Sequence, residues 1–202
     1  YSVKEIKYYF FYIFRKLTPK IKNIILICNS SLESHILSTF LVFSEFEIYL
    51  VNNFSYGNLK LNKDTQIIVL DKFIYSSLID KTSSRKIILA PSIQEFLKWT
   101  HPSFDIDLLT NNYKNNQKVG KSIFMSSGST GNPKIIPLTY SQINECYKNV
   151  CNGFLNKLTF KKIISLHDTS FVIILPFIFC LASKNQASLV ACDIGSISKP
   201  IL

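Results

Sequence analysis

Nine consecutive residues near the middle of the chain, Ser126 to Lys134, combine groups that bind phosphate. The segment reads SSGSTGNPK, with two glycines, four hydroxyl side chains, a proline and a terminal lysine. In a small-residue loop, backbone N–H groups can approach an anion closely, and hydroxyls donate to phosphate oxygens. The lysine adds a compact positive charge. The segment predicts a phosphate-binding loop, and the structural alternative is a plain Ser/Gly turn.

The residues around the loop predict how it is held. Residues 121–125 (KSIFM) predict a short buried strand, and a helix is predicted from Ser141 to about Leu155. Within the loop, glycine and lysine stand as G-x-x-G-x-x-K, whereas a Walker A loop has G-x-x-x-x-G-K-S/T. The sequence therefore predicts a phosphate loop other than Walker A, at the end of a strand.

The rest of the chain alternates between apolar runs of strand length and runs with helical spacing. A helix is predicted to begin near Val3, because Ser2 and Glu5 have the spacing of a capping box. A second helix is predicted to follow Ser31 and to end near Ser44. Strands are predicted near 24–28, 47–51, 66–70, 87–89, 122–126 and 187–192. This order indicates an α/β fold with layered helices and mostly parallel strands.

The nine-residue loop resembles the phosphate-binding signature of the AMP-binding, or adenylate-forming, superfamily, T/S-S-G-S/T-T-G-x-P-K-G-V. Residues 126–134 fit this pattern without a gap, and Thr139 stands where the family has a Thr-His pair. Ile135 replaces the usual glycine after the lysine, and Tyr140 replaces the usual histidine. The superfamily includes acyl-CoA synthetases, luciferases and the adenylation domains of peptide synthetases.

The resemblance implies that the loop binds ATP, together with Mg²⁺. It implies catalytic roles for Thr130 and Lys134, and it assigns no side chain as a metal ligand. The implied reaction joins a carboxylic acid to AMP with release of pyrophosphate, and then passes the acyl group to a thiol or amine, such as CoA or a carrier-protein thiol. The implied nucleotide-binding residues are Ser126, Ser127, Gly128, Ser129, Thr130, Gly131 and Lys134.

The resemblance extends along the chain with less specific matches. Residues 1–6 (YSVKEI) look like an opening Y-T-x-x-E-L segment, and residues 23–31 are similar to a strand that ends in an Asn-Ser turn. The expectation is that residues 1–202 form the N-terminal part of an AMP-binding domain, without its remainder or C-terminal domain. No adenine-binding, ribose-binding, hinge or C-terminal lysine motif is recognised. We therefore expect an enzyme fragment that is inactive alone.

A second segment bears on the substrate. His167-Asp168-Thr169-Ser170 resembles the family segment F-D-x-S, in which the aspartate pairs with the α-amino group of amino-acid substrates. Members that use fatty acids often carry a histidine here, so His167 and Asp168 together leave an amino acid and another acyl acid open. The structural alternative is that Asp168 caps a helix starting at Ser170.

Composition narrows the functional classes. The chain has 202 residues, of which 47% are hydrophobic and 18% charged, as in a globular protein with a sizeable core. Its net charge of +10 is scattered rather than clustered, which argues against nucleic acid as a partner. The longest apolar run, 171–182, is too short to span a bilayer.

The cysteines and histidines predict no metal site. The five cysteines form no C-x-x-C pair, and the three histidines lie far apart in the sequence. No signal peptide is recognised, and we expect a cytoplasmic protein. The resemblance of residues 126–134 to the superfamily signature thus implies part of an AMP-forming acid–thiol ligase. The alternative is a non-catalytic nucleotide-binding or interaction module that retains the loop, which Ile135 and Tyr140 favour.

Overall fold

A sheet of six strands forms the centre of the protein in this computed structural model. The structure describes residues 1–18, 20–42, 44–52, 62–80, 86–99, 120–126, 134–153, 161–170 and 188–191. The first elements are α1 (Val3–Phe14), β1 (Asn23–Cys28), α2 (Leu32–Val42), β2 (Glu47–Asn52), β3 (Thr65–Val69), α3 (Lys72–Ile79), β4 (Ile87–Leu89) and α4 (Ile93–Trp99). They are followed by β5 (Lys121–Ser126), β6 (Lys134–Thr139), α5 (Tyr140–Asn152), β7 (Lys162–Ser165) and β8 (Ser188–Ala191).

The strand order is β4-β3-β1-β2-β5-β6, and all neighbours except β5 and β6 are parallel. Alternate residues of β1 enter two separate apolar cores. Ile24 and Leu26 pack with α1, α2 and α4, whereas Ile25 and Ile27 pack with α3. The continuous apolar run of β1 therefore reflects burial on both faces, as expected for a parallel α/β sheet. The predicted fold class is confirmed.

Local signals account for several helix starts. Ser2 and Glu5 form the predicted capping box, in which the backbone N–H of Ser2 donates to Glu5 at 2.6 Å. Asp71 accepts two backbone N–H groups at the start of α3. Helix α2 ends at Val42, before the expected Ser44. Ser44 instead lies in the turn to β2, where its carbonyl accepts the N–H of Gly120 at 2.9 Å.

Strand β6 was not predicted from the sequence. It contains Pro137, which lacks the N–H that a sheet ladder needs, and most of the strand is exposed. Its apolar residues Ile135, Ile136 and Leu138 do not alternate with polar residues, so the period-two pattern by which half-buried strands are recognised is absent. In the described part of the chain β6 has a neighbour on one side only, which is where a proline is tolerated.

Helix α5 starts at Tyr140, immediately after β6. Thr139 and Gln142 form a capping box there, so that the helix begins one residue before the predicted Ser141. It ends at Asn152, with Gly153 as its C-cap, and the predicted end at Leu155 lies outside the described residues. Thr139 therefore joins the hairpin directly to the helix.

Strands β7 and β8 form a separate parallel pair, with Lys162 opposite Ser188. Strand β8 falls within the predicted strand 187–192. This small sheet lies near α2, which contacts β8. Of the polar residues 111–120, which precede β5, the structure describes Gly120 alone. No described helix is both long and apolar enough to cross a membrane.

Candidate functional site

The carboxyl ends of the parallel strands bring the candidate site residues to one edge of the sheet. Cys28 ends β1 and pairs with Asn52 at the end of β2. Leu50 of β2 pairs with Phe124 of β5, so extending this register by two residues aligns Asn52 with Ser126. Ligands of open α/β sheets bind at this edge. Since only β2 separates β1 from β5, their ends lie about 10 Å apart.

The predicted phosphate loop connects two antiparallel strands. Ser126, the last residue of β5, pairs directly with Lys134, the first residue of β6. The sequence placed Lys134 at the end of a loop but did not predict that it begins a strand opposite Ser126. The predicted residues Ser127, Gly128, Ser129, Thr130 and Gly131 lie outside the described part of the chain. We name this unit, residues 121–139, the β5–β6 hairpin.

Lys134 is exposed at the mouth of the hairpin, and it forms no ion pair with any described residue. Behind it, Phe124 is 2% exposed and belongs to the larger apolar core. The hairpin is therefore supported from inside the sheet. The positive charge of Lys134 remains available to an anion such as a phosphate group, which a compact lysine ammonium binds well.

Asp168 is partly buried in the segment that follows β7. Its Oδ1 accepts the backbone N–H of Ser170 at 2.6 Å, which is the geometry of an Asx turn. No described cation forms an ion pair with its carboxylate. The helix predicted from Ser170 falls on residues outside the described part of the chain, and His167 beside Asp168 is exposed. Both interpretations of Asp168, a helix cap and a partner for a substrate cation, are compatible with this geometry.

The structure reveals a buried polar cluster that the sequence did not predict. Ser34 Oγ lies 2.8 Å from Thr169 Oγ1, and His35 Nε2 lies 2.9 Å from Ser165 Oγ. Ser34, His35 and Thr169 are at most 1% exposed. We name the four residues of these two contacts, Ser34, His35, Ser165 and Thr169, the α2 anchor. They join the start of α2 to the segment that carries Asp168.

The hydrogen bonds of His35 define its tautomer. Nδ1 lies 2.7 Å from the carbonyl oxygen of Ser31, which can only accept, so Nδ1 carries the hydrogen. In the neutral ring Nε2 then accepts the hydroxyl hydrogen of Ser165. Burial lowers the pKa of His35, and the Ser31 carbonyl and the charge of Asp168 oppose this. The lowered pKa favours the neutral ring.

Asp168 lies near enough to the end of β1 to influence Cys28. Burial raises the pKa of the Cys28 thiol to about 12, and the negative charge of Asp168 adds to this. Hydrogen bonding to Thr169 and Ser34 acts in the opposite direction. Cys28 is therefore a protonated, structural thiol, and the segment 165–170 covers the carboxyl end of β1.

A partial sequence signal for the α2 anchor does exist. Helix α2 contains five polar residues, and three of them, Ser34, His35 and Ser38, are buried among its apolar side chains. Buried polar side chains need hydrogen-bond partners. A group of polar residues on a largely apolar part of a helix therefore indicates hydrogen bonds to another segment of the chain. The partners Ser165 and Thr169 are about 130 residues away in the chain, and spacing cannot identify them.

No protein-family profile and no curated protein matches the sequence. Solved structures do match. VinN, whose complexes with L-aspartate and 3-methylaspartate are known, matches in one crystal structure with a TM-score of 0.60 and 15% identity over 94% of this chain and 48% of VinN. MatB from Rhodopseudomonas palustris matches with a TM-score of 0.61 and 9% identity over 94% of this chain and 38% of MatB.

A third match is the anthranilate CoA ligase AuaEII in complex with anthranoyl-AMP, with a TM-score of 0.54 and 16% identity over 94% of this chain and 38% of AuaEII. Other matches include adenylation domains bound to a keto acyl adenylate or to phenylalanyl-adenylate. The chain spans about half or less of the length of these structures. It therefore has the fold of part of the adenylate-forming enzymes.

Proposed function

We propose that the full-length protein activates a carboxylic acid by forming an acyl adenylate from ATP. The observation that carries this proposal is the pairing of Ser126 with the exposed Lys134 across the mouth of the loop whose sequence fits the adenylate-forming signature. The hairpin lies at the carboxyl edge of a sheet with the fold of these enzymes. A plain Ser/Gly turn would not require an exposed lysine at this position.

In this proposal, the hydroxyls of Ser127, Ser129 and Thr130 and the backbone at Gly128 and Gly131 hold the β- and γ-phosphates of ATP, which binds with Mg²⁺. The substrate carboxylate attacks the α-phosphorus, and the bond to the β-phosphate oxygen breaks. Lys134 offsets the charge of the departing pyrophosphate. Such chemistry depends mainly on positioning and charge stabilisation.

The proposed substrate is an amino acid. Asp168 is partly buried and has no described cationic partner, and a buried carboxylate is stabilised by a nearby positive charge. The ammonium group of an amino acid supplies that charge. Among the structural matches, VinN has complexes with L-aspartate, whereas AuaEII binds anthranoyl-AMP. The acyl group then passes to a thiol of CoA or of a carrier protein.

The test is ATP–pyrophosphate exchange by the full-length protein in the presence of a panel of amino acids and other carboxylic acids. Lys134→Ala should slow exchange by about ten- to a thousand-fold, the range seen when a transition-state donor is removed. Lys121→Ala is the matched control, because Lys121 is also exposed and lies at the other end of β5.

Exchange by the parent protein that survives in Lys121→Ala but is lost in Lys134→Ala supports the proposal. Equal exchange in the two variants contradicts the role of Lys134. ATP binding by the full-length protein without exchange for any acid favours a non-catalytic module instead.

A further inference from the structure

We propose that Ser34 and His35, both in the first turns of α2, are positioning residues that orient Asp168 toward the substrate. This inference rests on the proposed function, because it concerns Asp168, which that proposal assigns to the ammonium group of the substrate. Neither residue touches the reacting atoms in this proposal. They act through Thr169 and Ser165, which lie on either side of Asp168 in the sequence.

The first contact ties Thr169 to the end of the central strand. The hydroxyl of Ser34 lies 2.8 Å from that of Thr169, and both residues are 0% exposed. The same Ser34 oxygen accepts the backbone N–H of Asn29 at 3.2 Å, and Asn29 directly follows β1. One buried oxygen therefore links the residue after Asp168 to the carboxyl end of β1.

The second contact holds the chain on the other side of Asp168. His35 is 1% exposed and bridges the carbonyl of Ser31, at 2.7 Å, and the hydroxyl of Ser165, at 2.9 Å. Ser165 is the last residue of β7, three positions before Asp168. With both ends of this short segment held, few backbone conformations remain available to Asp168.

The carboxylate itself is oriented within this fixed segment. Its Oδ1 accepts the N–H of Ser170, and no hydrogen bond within the described part of the chain involves its Oδ2. Oδ2 is thus the oxygen available to a substrate cation. Moving the segment relative to β1 would displace this oxygen, and small displacements of a positioned group are costly to recognition.

If the cluster only stabilised the fold, its loss would affect the acid substrate and ATP alike. A hydrogen bond between neutral groups makes only a modest net contribution to stability. Its directionality, by contrast, determines where the segment lies. Loss of the contacts should therefore affect the acid substrate more than it affects the binding of ATP at the β5–β6 hairpin. The segment 165–170 follows β7 of the two-stranded sheet, whereas the hairpin lies in the six-stranded sheet.

The experiment compares Thr169→Val, which keeps the shape but removes the hydroxyl, with Thr169→Ser, which restores the hydroxyl. The full-length protein is used, and ATP–pyrophosphate exchange gives the KM for the acid and for ATP. Thr169→Val should raise the KM for the acid about ten-fold, the effect of one lost hydrogen bond, with the KM for ATP unchanged. Thr169→Ser should restore the parent value.

Ser38→Ala is the matched control. Ser38 is in the same helix and is 0% exposed, but its hydroxyl donates to the carbonyl of His35 at 3.2 Å and has no described contact with segment 165–170. This variant should leave the KM for the acid unchanged. If Thr169→Val fails to fold, Ser165→Ala takes its place. This variant removes only the hydrogen bond to His35 and should likewise raise the KM for the acid.

Hydrogen–deuterium exchange provides a readout that does not need activity. Thr169→Val should accelerate exchange in residues 165–170 while leaving β1 and β2 protected. Unchanged exchange in this segment would overturn the proposal whatever the kinetics. Faster exchange with equal rises in both KM values would also overturn it.

A parent protein that activates no carboxylic acid rejects the proposed function and the positioning role together. In that case the deuterium result still decides whether the two contacts hold the segment. An active parent whose Thr169→Val variant behaves like Ser38→Ala rejects the positioning role alone.

Discussion

The β5–β6 hairpin and the α2 anchor place polar groups at the same edge of the sheet in opposite ways. The hairpin is one continuous segment, and Lys134, the first residue of β6, is exposed. The α2 anchor joins residues about 130 positions apart, and three of its four members are almost completely buried. The hairpin is therefore a local structure on the sheet, whereas the anchor is produced by the tertiary fold.

This difference determines how each region responds to mutation. Removing an exposed charge leaves the surrounding structure intact, so a change at Lys134 should affect function with little loss of stability. Removing one member of a buried pair leaves its partner without a hydrogen bond, so a change in the anchor affects geometry and stability together. The following predictions separate the two kinds of response.

The largest expected effect is that of Asp168→Asn on substrate activation. The change removes the charge but keeps an oxygen that can accept the N–H of Ser170, so the Asx turn should remain. Loss of one member of a buried charge pair costs roughly 3–5 kcal/mol, which predicts a rise of more than about a hundred-fold in the KM for an amino acid. Exchange kinetics with ATP held at saturation provide the measurement.

The KM for ATP serves as the internal control for Asp168→Asn and should be nearly unchanged. Since Asn caps about as well as Asp, a variant that activates its substrate normally would identify Asp168 as a structural cap. Activation restricted to acids without an amino group would lead to the same conclusion.

Gly120→Ala, at the residue before β5, should lower the free energy of unfolding by an intermediate amount. A Cβ on Gly120 would lie 1.7 Å from the carbonyl oxygen of Phe46, so the backbone at the start of β5 must move. Overpacking of this kind costs about 1–3 kcal/mol of the free energy of unfolding. Urea titration of the full-length protein measures the loss.

The neighbouring variant Lys121→Ala controls for Gly120→Ala, since Lys121 is exposed and should have little effect on stability. Deuterium exchange in residues 165–170 should also stay unchanged, because the hydrogen bonds described for the anchor do not involve β5. Equal stability of the two variants would show that the turn before β5 adapts to a side chain.

The smallest expected effect is that of Thr139→Ala at the exit of the hairpin. Thr139 Oγ1 accepts the N–H of Gln142 at 3.3 Å, and Gln142 accepts the N–H of Thr139 at 2.9 Å. Removing an N-cap hydroxyl costs about 1 kcal/mol of unfolding free energy. Thr139→Ser keeps the hydroxyl and should lie near the parent, so an equal loss in both variants would argue against the capping role.

Prediction from the sequence succeeded where the signal is local. The capping box of Ser2 and Glu5 and the buried strand β1 are both present. Strand β6 was missed because it contains Pro137 and because its apolar residues do not alternate with polar ones. The roles predicted for Thr130, Lys134 and Asp168 in binding and catalysis stay predictions. Thr130 lies outside the described residues, and the positions of Lys134 and Asp168 do not by themselves test these roles.

The sequence by itself determined the alternation of strands and helices, because continuous apolar runs and caps are encoded within a few residues. It also determined the composition of the predicted phosphate loop. Only the tertiary structure decided that Lys134 pairs with Ser126 and that Ser34 and His35 meet Thr169 and Ser165. The pairing of Ser126 with Lys134 depends on β5 and β6 joining one sheet. The contacts of the α2 anchor depend on how distant segments pack around a shared core, and a buried hydroxyl can be satisfied by many partners.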